Sequence, residues 1–512
     1  MNRITKFQNQ IIEECLQKQS GCLAVPMGTG KTLISLELSQ RLIGNGPILI
    51  VMSKTLVQNW TSQINKFYSK SKPYVVFHKD FLGTTFNTYK PTNNIIVITT
   101  PDVTSICFKN LGLSDHVLEN RELKSPIAPK SNEPGSFLYY TKWKCIIIDE
   151  VQKYTMQKTL RCVSLYNICA KYRWLLSGTP LYEPIGNRLL GYYLLLGDYT
   201  FPYYPADIKT YVTSKLYPGL KATMVSRTSA NVKLPQSNCV VIEHTLTPLE
   251  QKIYNIMRKV IEFIVAKFGH VEPYEGLALN IIIYLRQFLV TPYLAFKSTY
   301  KLAKKSKTVI KKFANSLEDI NGIINDKIQS SRIKAVIEVL DKHSNEKVVL
   351  FTCFKSSILG ISTFIKSTRP IFAIETSQSI TKRSDIINKF CASKNGILLL
   401  TYQLGAEGLN LQCAHTTLLV DFWWNDGVTQ QAIARVLRRG QKSNVNIYFF
   451  TSNTGMEKGL FSKHELKSRL INELGDGNVK KFKTEAMHLK DILKLIRDSE
   501  NKHNLKKSCP AF

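Results

Sequence analysis

A chain of 512 residues is long enough for two to four domains of ~100 to 200 residues each, and its 44% apolar content allows substantial buried cores. Lysine and arginine number 69 against 38 acidic residues, a net charge of +31, whereas small soluble domains carry ~2 to 8; a polyanionic partner is expected, and composition does not separate DNA from RNA. No run reaches the ~18 apolar residues of a membrane span, and MNRITKFQNQ lacks the apolar core of a secretion signal, so the expectation is a soluble intracellular protein with no membrane role.

In chain order, Ile4 to Leu16 reads as a helix carrying Phe7, Ile11 and Ile12, and the strand-like Leu23 to Val25 runs into VPMGTGKT, Val25 to Thr32. Leu33 to Ile43 continues as a helix, which puts the glycine-rich loop in the strand, loop, helix setting of a phosphate-binding loop. Its backbone N–H groups turn toward a β-phosphate, Lys31 reaches the β and γ phosphates, and Thr32 is suited to Mg²⁺. The full pattern has glycine where Val25 stands. Short apolar strands follow at Pro47 to Met52, Asn94 to Thr100, Lys144 to Glu150 and Arg173 to Pro180, unalternating as buried parallel strands are. Residues 111–136 are polar and read as a surface insertion, and 182–235 are irregular. Leu249 to Phe268 is helical, and a cluster of Lys301, Lys304, Lys305, Lys307, Lys311 and Lys312 suits either a phosphate backbone or solvent. A second α/β pattern has strands at Lys347 to Phe354, Pro370 to Glu375, Gly396 to Tyr402, Thr416 to Phe422 and Val445 to Phe450, with no second phosphate loop. After about Lys480 the chain is charged and only weakly amphipathic.

Asp149 and Glu150 end the run IIIDE, at the carboxyl end of a strand where a parallel sheet exposes its ligands. Taken alone, such a pair is an ordinary strand ending. Behind a phosphate loop, Asp149 is suited to hold Mg²⁺ through water and Glu150 to accept a proton from attacking water. SGTP, Ser177 to Pro180, supplies small hydroxyls in a turn that could sense that pair. In QQAIARVLRRGQ, Gln430 to Gln441, Arg435 and Arg438 are three apart and on a helix would share a face, suited to phosphoryl oxygens as charge develops. LGAEGLNL, Leu404 to Leu411, offers glycines for close backbone approach, and Trp423 and Trp424 suit packing beside Phe422 better than base stacking. The 11 cysteines have no metal-ligand spacing and an odd count, arguing against a fully paired disulfide scaffold and for a reducing compartment. The nine histidines show no zinc spacing.

Taken together, these motifs resemble the Snf2-like ATPases of helicase superfamily 2, from about Ile4 to Phe450. Phe7 and Gln8 look like the adenine-side motif, and MGTGKT, with Met27, Gly28, Thr29, Gly30, Lys31 and Thr32, like motif I. ILIVMSKTLVQNW resembles motif Ia, ITTPD motif Ib, IIIDEVQ motif II and LLSGTPLYE motif III. SRTSANVKLPQ and TPLEQKIYNIM resemble the segment between lobes, YLRQFLVTPYL resembles the family's LRxxxxHPxLL helix with Thr291 in the usual histidine position, and VLFTCF, LTYQLGAEGLNL and DFWWNDGVTQQAIARVLRRGQ resemble motifs IV, V and VI. Gln152 stands where the family usually has histidine, which puts coupling between the lobes in doubt.

The resemblance implies an α/β fold of two RecA-like parallel-sheet lobes in tandem with helical insertions between them. The expected division is 1–225 for the ATP-binding lobe, 226–330 for a helical linker, 331–475 for the second lobe and 476–512 for a basic tail. It implies ATP and Mg²⁺ as cofactors, catalysis by Lys31, Asp149, Glu150, Arg435 and Arg438, and contributions from Gly408 and Gln431 at the nucleotide. Ser53, Lys54, Thr100, Thr401 and Gly408 would track nucleic-acid phosphates. The implied activity is DNA-stimulated ATP hydrolysis by a monomeric motor on duplex DNA. An RNA or RNA:DNA helicase and a non-hydrolysing scaffold are the alternatives. Transcription-complex or virion proteins are conceivable partners, and the nucleus, or the cytoplasm or virion of a viral protein, the expected place of action.

Overall fold

The computed structural model describes residues 4–25, 28–43, 46–68, 74–83, 95–112, 135–157, 159–178, 186–197, 217–226, 235–268, 274–305, 318, 320–321, 323–365, 369–406, 409–423, 426–438 and 440–457. They fall into two compact units, one within Met1–Lys233 and one within Leu234–Asn472.

The first unit is built on seven strands, β1 (Gly21–Ala24), β2 (Ile48–Val51), β3 (Tyr74–Val76), β4 (Ile96–Thr99), β5 (Trp143–Ile148), β6 (Ala170–Ser177) and β7 (Met224–Ser226). They lie in the order β3-β4-β2-β5-β6-β1-β7, and every pairing is parallel. The unbroken apolar runs follow from burial on both faces. Leu49, Val51, Val97, Ile146 and Ile148 enter one core, while Ile48, Ile50, Ile96, Ile98 and Ile147 enter the other. Helices α1 (Lys6–Lys18), α2 (Lys31–Ile43) and α3 (Val57–Tyr68) send Ile11, Ile12, Ile34 and Trp60 to that second core.

The second unit has β8 (Ser237–His244), β9 (Val348–Thr352), β10 (Ile371–Ala373), β11 (Ile397–Thr401), β12 (Thr416–Leu419) and β13 (Val445–Ser452), ordered β10-β11-β9-β12-β13-β8 and again parallel throughout. The chain therefore has two RecA-like parallel-sheet lobes with helical insertions. Helices Pro248–Phe268, Tyr274–Phe288 and Pro292–Lys305 form their own core around Met257, Ile261, Leu285, Phe288 and Phe296.

The segment 226–330, read from sequence as a helical linker, also supplies a strand. β8 pairs with β13 from Ser237↔Val445 to His244↔Ser452 and so belongs to the second sheet. It is an edge strand, half-exposed along most of its length, and lacks the continuous apolar run that marks its central neighbours. The short strands β3 and β7 at the edges of the first sheet escape the sequence patterning for the same reason.

The end of β8 meets a buried polar cluster. Arg332, fully buried, donates from Nε to His244 Nε2 at 2.7 Å and from Nη1 to Glu457 Oε1 and the Val420 carbonyl, both at 2.9 Å. Its Nη2 makes the second arm of a fork to Glu457 Oε2, an oxygen that also accepts from Ser452 N at 2.6 Å. Burial first, and then the Arg332 charge, hold the His244 imidazole down to about 3; burial raises Glu457, but Arg332 outweighs it and the carboxyl lies below its usual value.

Cys391 and Cys413 form a disulfide, which the scattered cysteine spacing does not announce: the two are brought together by the fold, 22 residues apart in sequence. Cys15, Cys22, Cys107, Cys145, Cys162, Cys169 and Cys353 form no disulfide. Among the described residues no helix is long and apolar enough to cross a membrane.

Candidate nucleotide site

β1 delivers the chain into the phosphate loop and α2 receives it at Lys31. Gly28 and Gly30 adopt φ of 80° and 86°, the left-handed region glycine enters without steric cost. Val25 is fully buried in the core between sheet and helices, which accounts for a β-branched residue where the full loop pattern has glycine. Lys31 Nζ donates to the Val25 carbonyl at 3.0 Å and so lies back along the loop. Thr32 is half-buried in the first turn of α2, at a helix N-terminus, where backbone N–H groups favour anions.

Gln8 braces this loop from α1. Thr5 caps the helix in a capping box with Gln8, whose Nε2 donates to the Thr29 carbonyl at 2.9 Å. A Cβ on Gly30 would stand 2.6 Å from that same Nε2, so the glycine is required by contact as well as by φ. Phe7 is half-buried beside Gln8, and Thr29 is buried. Met27 lies outside the described residues.

Across the sheet, β5 ends at Ile148, and Asp149 N donates to the Val51 carbonyl at 2.9 Å. Both carboxylate oxygens of Asp149 are engaged: Oδ1 accepts from Glu150 N and Oδ2 from the indole Nε1 of Trp60, each at 2.9 Å. Burial first, and then the neighbouring Glu150 charge, push the Asp149 carboxyl up. Glu150 adopts φ 51° and ψ 45°, a left-handed conformation that costs a non-glycine residue of order 1 kcal/mol or more and turns the chain directly after the strand. Gln152 Nε2 donates to Glu150 Oε2 at 2.5 Å, and its Oε1 accepts from Ser177 Oγ at 2.7 Å. The glutamine thus spans the acidic pair and the end of β6, using its donor and its acceptor at once. Arg188 Nη1 donates to the Gln152 carbonyl at 3.2 Å. Thr179 and Pro180 lie outside the described residues.

The donor set fits Mg²⁺. Among the described residues no group of three or more histidine, cysteine or acidic side chains is arranged to hold a metal ion by itself, whereas one or two carboxylates beside a phosphate loop match the way Mg²⁺ is shared with nucleotide phosphates and water. Thr32 and Asp149 are the residues that would hold it.

The nucleic-acid residues expected from sequence divide by exposure. Lys54 is largely exposed and paired with Asp80, and Ser53 Oγ shares a hydrogen bond with Thr55 Oγ1 at 3.1 Å. Thr100 and Thr401 are buried: Thr100 Oγ1 accepts from Val103 N at 3.3 Å and Thr401 Oγ1 from Leu404 N at 3.4 Å, so both hydroxyls serve the turns after β4 and β11. In the second unit Gln431 is buried, and Gly408 and Trp424 lie outside the described residues. Arg435 and Arg438 do not share a regular helix face as their spacing predicts. The helix Asp426–Ile433 stops before them, because the chain tightens into turns in which Arg435 N donates to Ala432 O at 3.1 Å and Val436 N to Ile433 O at 2.9 Å. The Arg435 carbonyl accepts from Leu411 N at 3.2 Å, and burial lowers the Arg438 guanidinium. Trp60 and Arg188 reach the site without a local signal: their partners are 89 and 36 residues away in sequence.

Residues 8–294 match the SNF2-related domain. The chain belongs to this family of helicase-type ATPases. Residues 331–440 match the helicase conserved C-terminal domain, so both halves of the superfamily 2 architecture are present. The chain is 26% identical over 509 residues to a candidate helicase, 172L, of Invertebrate iridescent virus 6, covering 84% of this chain and 80% of that protein. It is also 26% identical over 527 residues to the bifunctional helicase and thymine dioxygenase JBP2 of Trypanosoma brucei brucei, covering 91% of this chain and 46% of JBP2, so it spans less than half of that relative. Among solved structures it is similar to the Sulfolobus solfataricus SWI2/SNF2 ATPase core in complex with dsDNA, at 20% identity and a TM-score of 0.38, covering 96% of this chain and 97% of that one.

Proposed function

We propose that the chain is a DNA-stimulated ATPase that tracks along duplex DNA without needing to separate its strands. The observation that carries this reading is the assembly, on one rim of a parallel sheet, of the braced phosphate loop and the oriented pair Asp149 and Glu150. Lys31 grips the β and γ phosphates, Glu150 accepts a proton from the attacking water, and Gln152 keeps its carboxylate in place. Thr32 and Asp149 would hold Mg²⁺, which would supply charge neutralisation at the phosphates. Phe7 and Gln8 lie against the adenine side, and the roles of Arg435, Arg438, Gln431 and Gly408 in hydrolysis rest on the family resemblance alone. Ser53 and Lys54 meet DNA phosphates with their side chains, while Thr100 and Thr401, whose hydroxyls cap turns, do so through backbone. A setting in viral transcription or genome processing, with proteins of that machinery as partners, completes this reading; its support is that the helicase-like relative 172L belongs to a virus.

The test is phosphate release from ATP by the purified chain with duplex DNA, single-stranded DNA and RNA side by side. Duplex DNA stimulates most, and Lys31→Ala or Glu150→Gln each lowers kcat by ~10² or more. Stronger stimulation by RNA selects an RNA helicase instead. Absence of Lys31-dependent hydrolysis leaves a nucleic-acid-binding scaffold, and stimulation by DNA without displacement of a triplex third strand argues against processive tracking.

A further inference from the structure

Three tryptophans are buried in the first unit, and they treat their indole N–H groups differently. Trp143 Nε1 donates to the Leu138 carbonyl at 2.9 Å, the ordinary solution for a core tryptophan. Trp174 Nε1 has no partner among the described residues. Trp60 alone of the three donates to a carboxylate, Asp149 Oδ2, at 2.9 Å. This packing tolerates an indole N–H with a backbone partner or with none, so a core tryptophan here does not by itself call for a carboxylate. Trp60 sits in α3, the first α-helix after β2, and is fully buried. Asp149 follows β5, which pairs with β2 through Val51↔Ile148, and the indole joins the two neighbouring segments at the sheet's carboxyl rim. With Glu150 N on Oδ1 at 2.9 Å, two donors from different elements fix the plane of the carboxylate.

We propose that Trp60 is a positioning residue for Asp149, its N–H holding the carboxylate in the orientation that Mg²⁺-nucleotide requires. The inference rests on the proposed ATP site and deepens it. A partner behind a metal-holding carboxylate typically governs metal affinity by ~10-fold to 100-fold, whereas a purely structural tryptophan affects nucleotide binding equally with and without metal.

Trp60→Phe keeps an aromatic ring in the core and removes the donor. Binding of a fluorescent ADP analogue is measured by anisotropy with Mg²⁺ and with EDTA. In wild type, Mg²⁺ tightens binding; in Trp60→Phe that tightening falls by about tenfold while affinity in EDTA stays within about twofold, too small a change to count as lost packing. In an Asp149→Ala background the same substitution produces no further change in the Mg²⁺ effect, as a double-mutant cycle demands. If Trp60→Phe does not fold, 3-benzothienylalanine at position 60, which replaces N–H by sulfur in the same bicyclic shape, gives the same reading. Full retention of the Mg²⁺ effect, or equal loss in both conditions, overturns the role of Trp60 and leaves the ATP site standing. Absence of any Mg²⁺ effect in wild type overturns the ATP site itself, and the role of Trp60 with it.

Discussion

Gln152 occupies the position where the resemblance leads one to expect histidine, and the structure gives it a task that an amide performs without titrating. One end donates to Glu150 and the other accepts from Ser177. Gln152→Ala removes both of these hydrogen bonds in a buried setting, and kcat is expected to fall by roughly tenfold, about 1.4 kcal/mol, with nucleotide affinity retained; equal loss of both would assign Gln152 to binding. Gln152→His can keep both bonds only as neutral imidazole, so its hydrolysis rate is expected to fall as pH drops through roughly 6.5, a limb that comparison with wild type isolates. Gly30→Ala places a methyl 2.6 Å from Gln8 Nε2 at φ +86°. Nucleotide affinity in titration should weaken by tenfold or more, about 1.4 kcal/mol, through displacement of the loop or of its brace. At this scale the sequence exposes residue types and spacings: the loop, the carboxylate pair and the glutamine are legible in it. It does not expose that Trp60 meets Asp149, because that contact depends on two chain segments 89 residues apart.

Among the elements, the central strands announce themselves because both faces are buried and every position is apolar. β8 does not, and what secures its end is the cluster of His244, Arg332 and Glu457. Arg332→Ala leaves His244 and Glu457 without their buried partner and is expected to cost about 3 to 5 kcal/mol in denaturant unfolding. The pH dependence has a definite sign. His244 is held down to about 3 against an unfolded value of roughly 6.5, so the unfolded chain binds the extra proton between those values. Stability is complete above pH ~6.5 and declines as pH falls toward about 3, by at most ~1.4 kcal/mol per pH unit. Glu457, held low by Arg332, acts in the same direction at the acid end. His244→Gln removes the titrating group, and thermal melts between pH 7 and pH 5 should show a flatter dependence than wild type; an unchanged slope would place the acid sensitivity elsewhere.

For the molecule as a whole, a net charge of +31 makes nucleic-acid binding an electrostatic matter dominated by counterion release. Contact with six or more phosphates predicts a loss of affinity of roughly 10³ or more between ~50 and ~200 mM salt, with little dependence on base sequence; a flat salt profile in a binding titration would remove the phosphate backbone as the main contact. Apolar periodicity and spacing by themselves determined the two α/β patterns, the phosphate loop and the acidic pair, and the order of the motifs carried the resemblance to the family, because each is written in residues close together in the chain. The tertiary structure decided that β8 closes the edge of the second sheet, that Cys391 meets Cys413, that Arg435 and Arg438 leave their helix, and that Trp60 and Gln152 orient Asp149 and Glu150. Those are pairings between distant segments, selected by burial and by the need to satisfy polar groups removed from water, and no local pattern encodes them.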